Sequence, residues 1–155
     1  MPDKDDQEAR KRAREDRREG KSPSTQAGEF VHEEMDHIRE GKHGARSTKQ
    51  AIAIGLSKAR RAGVHLKAPK RGSASAATRK KARQDTRRSR RKSSPSRTRS
   101  RATSKALRRE GHSAASHRAL SRQAHSASRR RGQAARSRAA KKAARTRKRE
   151  SKSKS

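Results

Sequence analysis

Large apolar side chains are confined to one short segment, and that confinement limits what the chain can bury. Phe30, Val31, Met35, Ile38, Ile52, Ile54, Leu56, Val64 and Leu66 hold nearly all of them; beyond Leu66 only Leu107 and Leu120 remain in 155 residues. Ordering the backbone costs roughly 1–2 kcal/mol per residue, which so small a core cannot offset over the whole length. The pattern predicts a mostly α chain in three parts. These are a charged segment at 1–28 with a marginal helix, a small helical hairpin at 29–66, and a long, largely disordered basic C-terminal tail at 67–155.

The second half of the hairpin carries the clearest local signals. Ser47 is placed to cap a helix over 48–62, and Gln50 three residues on completes a capping box. Gly63 stands where a left-handed residue ends a helix, and Arg60 and Arg61 suit the negative end of the dipole. Ile52, Gly55, Leu56, Ala59 and Ala62 recur at helical spacing. Gly55 costs about 1 kcal/mol of propensity there, which points to a second backbone approaching closely. A preceding helix over 29–40 offers Val31, Met35 and Ile38 as the facing stripe, so the expected hairpin core is Val31, Met35, Ile38, Ile52, Leu56 and Ala59. Glu34 lies beside that stripe, within reach of Lys49 or Lys58. The loop 41–47 joins the two helices into an αα-hairpin. A DNA-reading helix-turn-helix fits less well, because it places polar residues where this second helix has Ala, Ile and Gly. The hairpin also offers a surface for self-association or a protein partner.

Charge is distributed as unevenly as hydrophobicity. Residues 1–40 hold nine Lys/Arg against twelve Asp/Glu, whereas 67–155 hold thirty-three against three, a net +30. Residues 1–21 mix both signs without an apolar stripe, which predicts a solvated helix; the alternative is an acidic segment that competes within the chain for the basic tail. The tail implies a polyanionic partner, with sequence-independent affinity that falls steeply with salt. The residues expected to meet phosphate are Arg79, Lys80, Lys81, Arg87, Arg88, Arg90, Arg91, Lys92, Arg97, Arg99, Arg101, Arg129, Arg130, Arg131, Lys141, Lys142, Arg145, Arg147, Lys148 and Arg149. Phe30 is the one aromatic of the Phe/Tyr/Trp class, so base stacking is not the expected mode. Duplex DNA is the expected partner and RNA the alternative. Residues 106–149 are Ala-rich enough to become helical once phosphates relieve their repulsion.

No nucleophile motif, H-E-x-x-H or phosphate loop occurs, so neither an enzyme nor a cofactor is expected. His32 and Asp36 form an i, i+4 pair, but solvated histidines are the expectation and no metal site is assigned. Neither a run of 18 apolar residues nor a secretory leader pattern is present, which leads to an expected cytoplasmic location on the nucleoid, without membrane contact.

The block KHGARSTKQAIAIGLSKARRAGV, Lys42 to Val64, resembles a short bacterial domain family marked by a KQAIAIGLS-x-ARRAG core, matched at Lys49 to Gly63. The stretch ALRREGHSAASHRALSRQAHSASRRR, Ala106 to Arg131, resembles the basic extensions of such proteins. In composition it is similar to bacterial histone-like and linker-histone-like tails, with Arg, Ser and Ala in place of Lys/Pro/Ala repeats. The family has no established activity, so the resemblance implies a class and no site residues.

Overall fold

The computed structural model describes residues 4–91 and 96–153. They form α1 (Lys4–Arg18), α2 (Pro23–Arg39), α3 (Thr48–Arg61), α4 (Ala76–Ser89), α5 (Arg97–Arg108), a 3-10 turn (Ser113–Ala115) and α6 (His117–Ser153). No strand occurs among the described residues. One compact unit ends at Ser116, and α6 belongs to a second.

Helix boundaries follow local chemistry. The Ser47 hydroxyl accepts from Gln50 N–H at 3.2 Å and starts α3. The reciprocal arm is displaced by one residue: Gln50 Oε1 accepts from Arg46 N–H at 2.8 Å rather than from Ser47. Gly63 ends the helix with φ +96, and Val64 N–H folds back to donate to Ala59 C=O at 3.0 Å. Ser22-Pro23-Ser24 begins a helix as well as separating two: Ser22 caps α2 and Pro23 takes its first turn, where a missing N–H costs nothing. Hence α2 starts six residues earlier than the stripe alone indicates.

The hairpin forms, but its seam is made of small residues. Ala51, Gly55 and Ala59 are the buried apolar positions of α3, while Ile52 and Leu56 are half-buried. On α2, Met35 and Ile38 are buried and Val31 is half-buried. A Cβ added at Gly55 would lie 2.7 Å from Val31 Cα and 3.0 Å from the Phe30 carbonyl oxygen. The backbones of α2 and α3 therefore touch, as the glycine suggests. The centre of the core is Ala27, Phe30, Ala59 and Val64 with Ala9 and Ala13 from α1, and Leu56 packs at its margin.

Two expectations are corrected. The N-terminal helix is not a marginal solvated one: α1 buries Ala9 and Ala13, one turn apart, against α2. Two alanines suffice because Arg12 Nε meets Glu29 at 2.6 Å and Lys58 Nζ meets Asp6 at 3.3 Å beside them. The region 67–155 is not a long disordered tail. It carries α4, α5 and α6, for reasons the residues supply. Ser75 caps α4, accepting from Thr78 N–H at 3.1 Å, and Ala82 and Asp85 bury one side of it as it packs on α3. Helix in α6 covers residues 117–149 of the 106–149 region expected to fold only on DNA, where Ala, Arg, Lys and Gln all favour helix, while 109–116 forms a loop with a 3-10 turn.

The segment after α5 docks on the hairpin loop. Gly44 N–H donates to Leu107 C=O at 2.9 Å and Ala45 N–H to Gly111 C=O at 3.0 Å. Thr48 Oγ1 donates to Ala114 C=O at 2.7 Å, and Arg39 Nε to Ala115 C=O at 3.0 Å. A Cβ at Gly44 would fall 1.9 Å from the Glu110 carbonyl oxygen, so only glycine admits this approach. Ala114 and Ala115 are buried there. In the second unit, α6 is interrupted at Gly132 (φ 75, ψ 165), a conformation open almost only to glycine. No helix of the described residues is long and apolar enough to cross a membrane.

Candidate nucleic-acid interface

Most of the cations singled out in the sequence stand exposed on helices. On α4 and its C-terminal end, Lys80, Lys81, Arg87, Arg90 and Arg91 are exposed and Arg88 is half-buried. Arg97, Arg99 and Arg101 are exposed on α5, and Arg129, Arg130, Arg131, Lys141, Lys142, Arg145, Arg147, Lys148 and Arg149 on α6. Lys92 lies outside the described residues.

Arg79 differs from the rest. It is half-buried, with a buried Nε that makes no hydrogen bond. Nearby on α4, Asp85 is 1% exposed, and Lys81 Nζ is 3.5 Å from it. Arg60 of α3 is also buried; burial lowers its pKa and the charge of Asp85 opposes that shift. Arg60 and Asp85 thus interact where α4 packs on α3, and Lys81 is engaged with Asp85 as well as open to any ligand.

On α6 the sequence reading passed over Arg118, Arg122, Arg136, Arg138 and Lys152, all exposed. Their signal was present in helical spacing. Arg122, His125, Ser126, Arg129 and Arg130 line one concavity at i, i+3, i+4, i+7 and i+8, with Arg130 Nη2 donating to Ser126 Oγ at 2.9 Å. A cationic strip of this kind meets successive phosphates without reading bases.

A second constellation is buried in the first unit. Lys58 Nζ lies 3.1 Å from Glu34, 3.3 Å from Asp6 and 3.5 Å from Glu33. Glu33 and Glu34 are both buried, Glu34 fully. Glu34 therefore meets Lys58 of the two lysines within sequence reach. Burial alone would lower the Lys58 pKa, but the summed attraction of Glu34, Asp6 and Glu33 raises it. Burial and a hydrogen bond with Asp6 push Glu33 up to about 7, and Asp6 is lowered against its own burial by that bond and by Lys58. Of the two carboxyls, Glu33 therefore holds a proton more readily than Asp6.

His37 and His43 are not solvated: His37 is 5% exposed, His43 is half-buried, and their rings meet edge-on at 6.0 Å. His32 and Asp36 form the expected exposed pair at 3.2 Å. The acids at 33, 34 and 36 look like an ordinary solvated face, and Asp6 of α1 and Lys58 of α3 meet Glu33 and Glu34 there.

The raised pKa of Glu33 has a measurable consequence. Glu33 has a folded pKa above its ordinary 4.5, so its protonated form favours the fold. That contribution is complete below pH 4.5 and is lost as pH rises through about 7. Glu33→Gln, which is neutral throughout, should flatten the fall in thermal stability between those values, as followed by circular dichroism. An unchanged slope would place the titrating group elsewhere.

Comparison with curated proteins and with solved structures gives no match. Residues 20–72 match the model of a family of unknown function, DUF6496; the match takes in α2, the loop holding His43 and Gly44, and α3, and marks this segment as an uncharacterised helical domain.

Proposed function

We propose that the protein is a non-enzymatic, nucleoid-associated, histone-like DNA-binding protein that holds duplex DNA through its phosphates, without sequence preference. One observation carries this reading: a net +30 over residues 67–155, with most of its described Lys and Arg exposed on helical faces. Such a surface releases counterions on meeting a polyanion. Arginine adds bidentate pairing with phosphate and suits narrow minor grooves. The first unit acts as a folded base that positions α4 and α5.

The test is a set of titrations of the whole chain with unrelated duplexes at several salt concentrations, with structured RNA as competitor. Affinities should agree within a few-fold across sequences. Between 50 and 200 mM salt they should fall by at least about a thousandfold, the loss typical of six or more phosphate contacts. A shallow slope or one strongly preferred site overturns the proposal; RNA displacing DNA at equal phosphate concentration turns it toward an RNA-associated protein.

A further inference from the structure

We propose that Glu34, His37 and His43 form a binding site for a single divalent transition-metal ion of the zinc class. One donor atom from each of the three lies within 4.8 Å of the others. A carboxylate with two imidazoles suits zinc and its neighbours, whereas calcium and magnesium favour all-oxygen shells.

Each ligand is already oriented. Nδ1 of His43 lies 3.2 Å from the Gly44 carbonyl, which can only accept, so in the neutral ring Nδ1 carries the proton and Nε2 the lone pair. That Nε2 stands 3.4 Å from Glu34 Oε1. The other oxygen, Oε2, faces Lys58 at 3.1 Å, so Oε1 can take the ion while Oε2 keeps its lysine. Glu34 is fully buried; Lys58 stands at its Oε2, while Oε1 accepts no hydrogen bond and faces only the His43 ring. A buried carboxylate oxygen without a donor is costly, and a cation bound at Oε1 supplies what it lacks. Beside His37 Nε2 stand Asp5 at 3.1 Å and Glu33 at 3.6 Å, as a further donor or as the acceptor that fixes the ring. An open groove lined by Asp5, Glu33, Asp36, His37 and Glu40 gives a cation an acidic route in. All three ligands fall in the segment matched by the family model.

The site ties α2 to the loop whose Gly44 and Ala45 amides hold the segment after α5. Metal should therefore tighten that docking as well as the hairpin.

The experiment is titration of the chelator-treated full chain with Co2+, read by visible d–d absorption, followed by displacement with Zn2+. We expect one ion per chain, an intense tetrahedral spectrum, a rise in melting temperature and slowed amide exchange at Gly44 and Ala45. His43→Asn and Glu34→Gln should each weaken binding by more than about tenfold, the least that loss of even an outer-sphere partner costs, and should abolish the slowed exchange. His32→Asn, outside the site, should change neither. Should Glu34→Gln fail to fold, the half-buried His43 decides the matter. Absence of the spectrum, wild-type affinity in His43→Asn, or loss of binding in His32→Asn would overturn the proposal.

Discussion

Removing residues 117–155 should lower affinity for duplex DNA by on the order of a thousandfold near physiological salt. The segment holds 15 Lys and Arg against one acid, Glu150. Each phosphate neutralised adds about 0.9 to the dependence of log affinity on log salt, so the deletion should also make the slope visibly shallower. The cut falls at the boundary between the two compact units. It spares the bonds from Gly44, Ala45 and Thr48 to residues 107–114, and circular dichroism corrected for the missing α6 should show the first unit intact. Fluorescence anisotropy at three salt concentrations gives both quantities. Affinity within about fivefold of the full chain, at an unchanged slope, would mean that α6 is not the phosphate-binding arm and that α4 and α5 carry the charge contacts.

The hairpin could be read from the chain because its signals are local. Ser47 and Gly63 bound α3 through hydroxyl capping and a positive φ, and neither depends on distant residues. A partner for Glu34 across the hairpin could be narrowed to Lys49 or Lys58, and the structure gives Lys58. The rest of the unit was hidden for a common reason: its contacts are made by small side chains. Ala9, Ala13 and Ala82 bury their helices without any stripe of large residues, and a chain read for Leu and Ile undervalues them. The hydrogen bonds that dock residues 107–115 are accepted by backbone carbonyls of that segment, from two backbone amides and the Thr48 and Arg39 side chains, and carbonyls have no side-chain period. His37 and His43 looked solvated because their burial depends on a helix, α1, whose own burial was not visible. Charge was legible as a total, but its shape was not, since an Arg-, Ser- and Ala-rich stretch satisfies both a disordered tail and the helix of α6.

Two glycines inside helices should respond to alanine in opposite directions. Gly28 is exposed in α2, and a Cβ there meets nothing within 4 Å. Gly28→Ala should therefore gain the helix propensity that glycine forgoes, about 1 kcal/mol, and raise the melting temperature by roughly 4–8 °C. Gly55 enjoys the same propensity gain but lies where α2 and α3 touch. Its new Cβ would meet Val31 Cα at 2.7 Å and the Phe30 oxygen at 3.0 Å, both backbone atoms that no rotamer change can move aside. Separating the helices disturbs Phe30 and Ala59 at the centre of the core. Overpacking of this kind costs typically about 1–3 kcal/mol, which outweighs the propensity gain. Gly55→Ala should lower the melting temperature, and Gly55→Val, which adds two methyl groups at the same contact, should unfold the first unit. Because α6 belongs to the other unit and keeps its cations, DNA affinity of Gly55→Val should fall far less than its helix content. Should Gly55→Ala melt as high as Gly28→Ala, the two helices are not in backbone contact and the packing described for the hairpin is wrong.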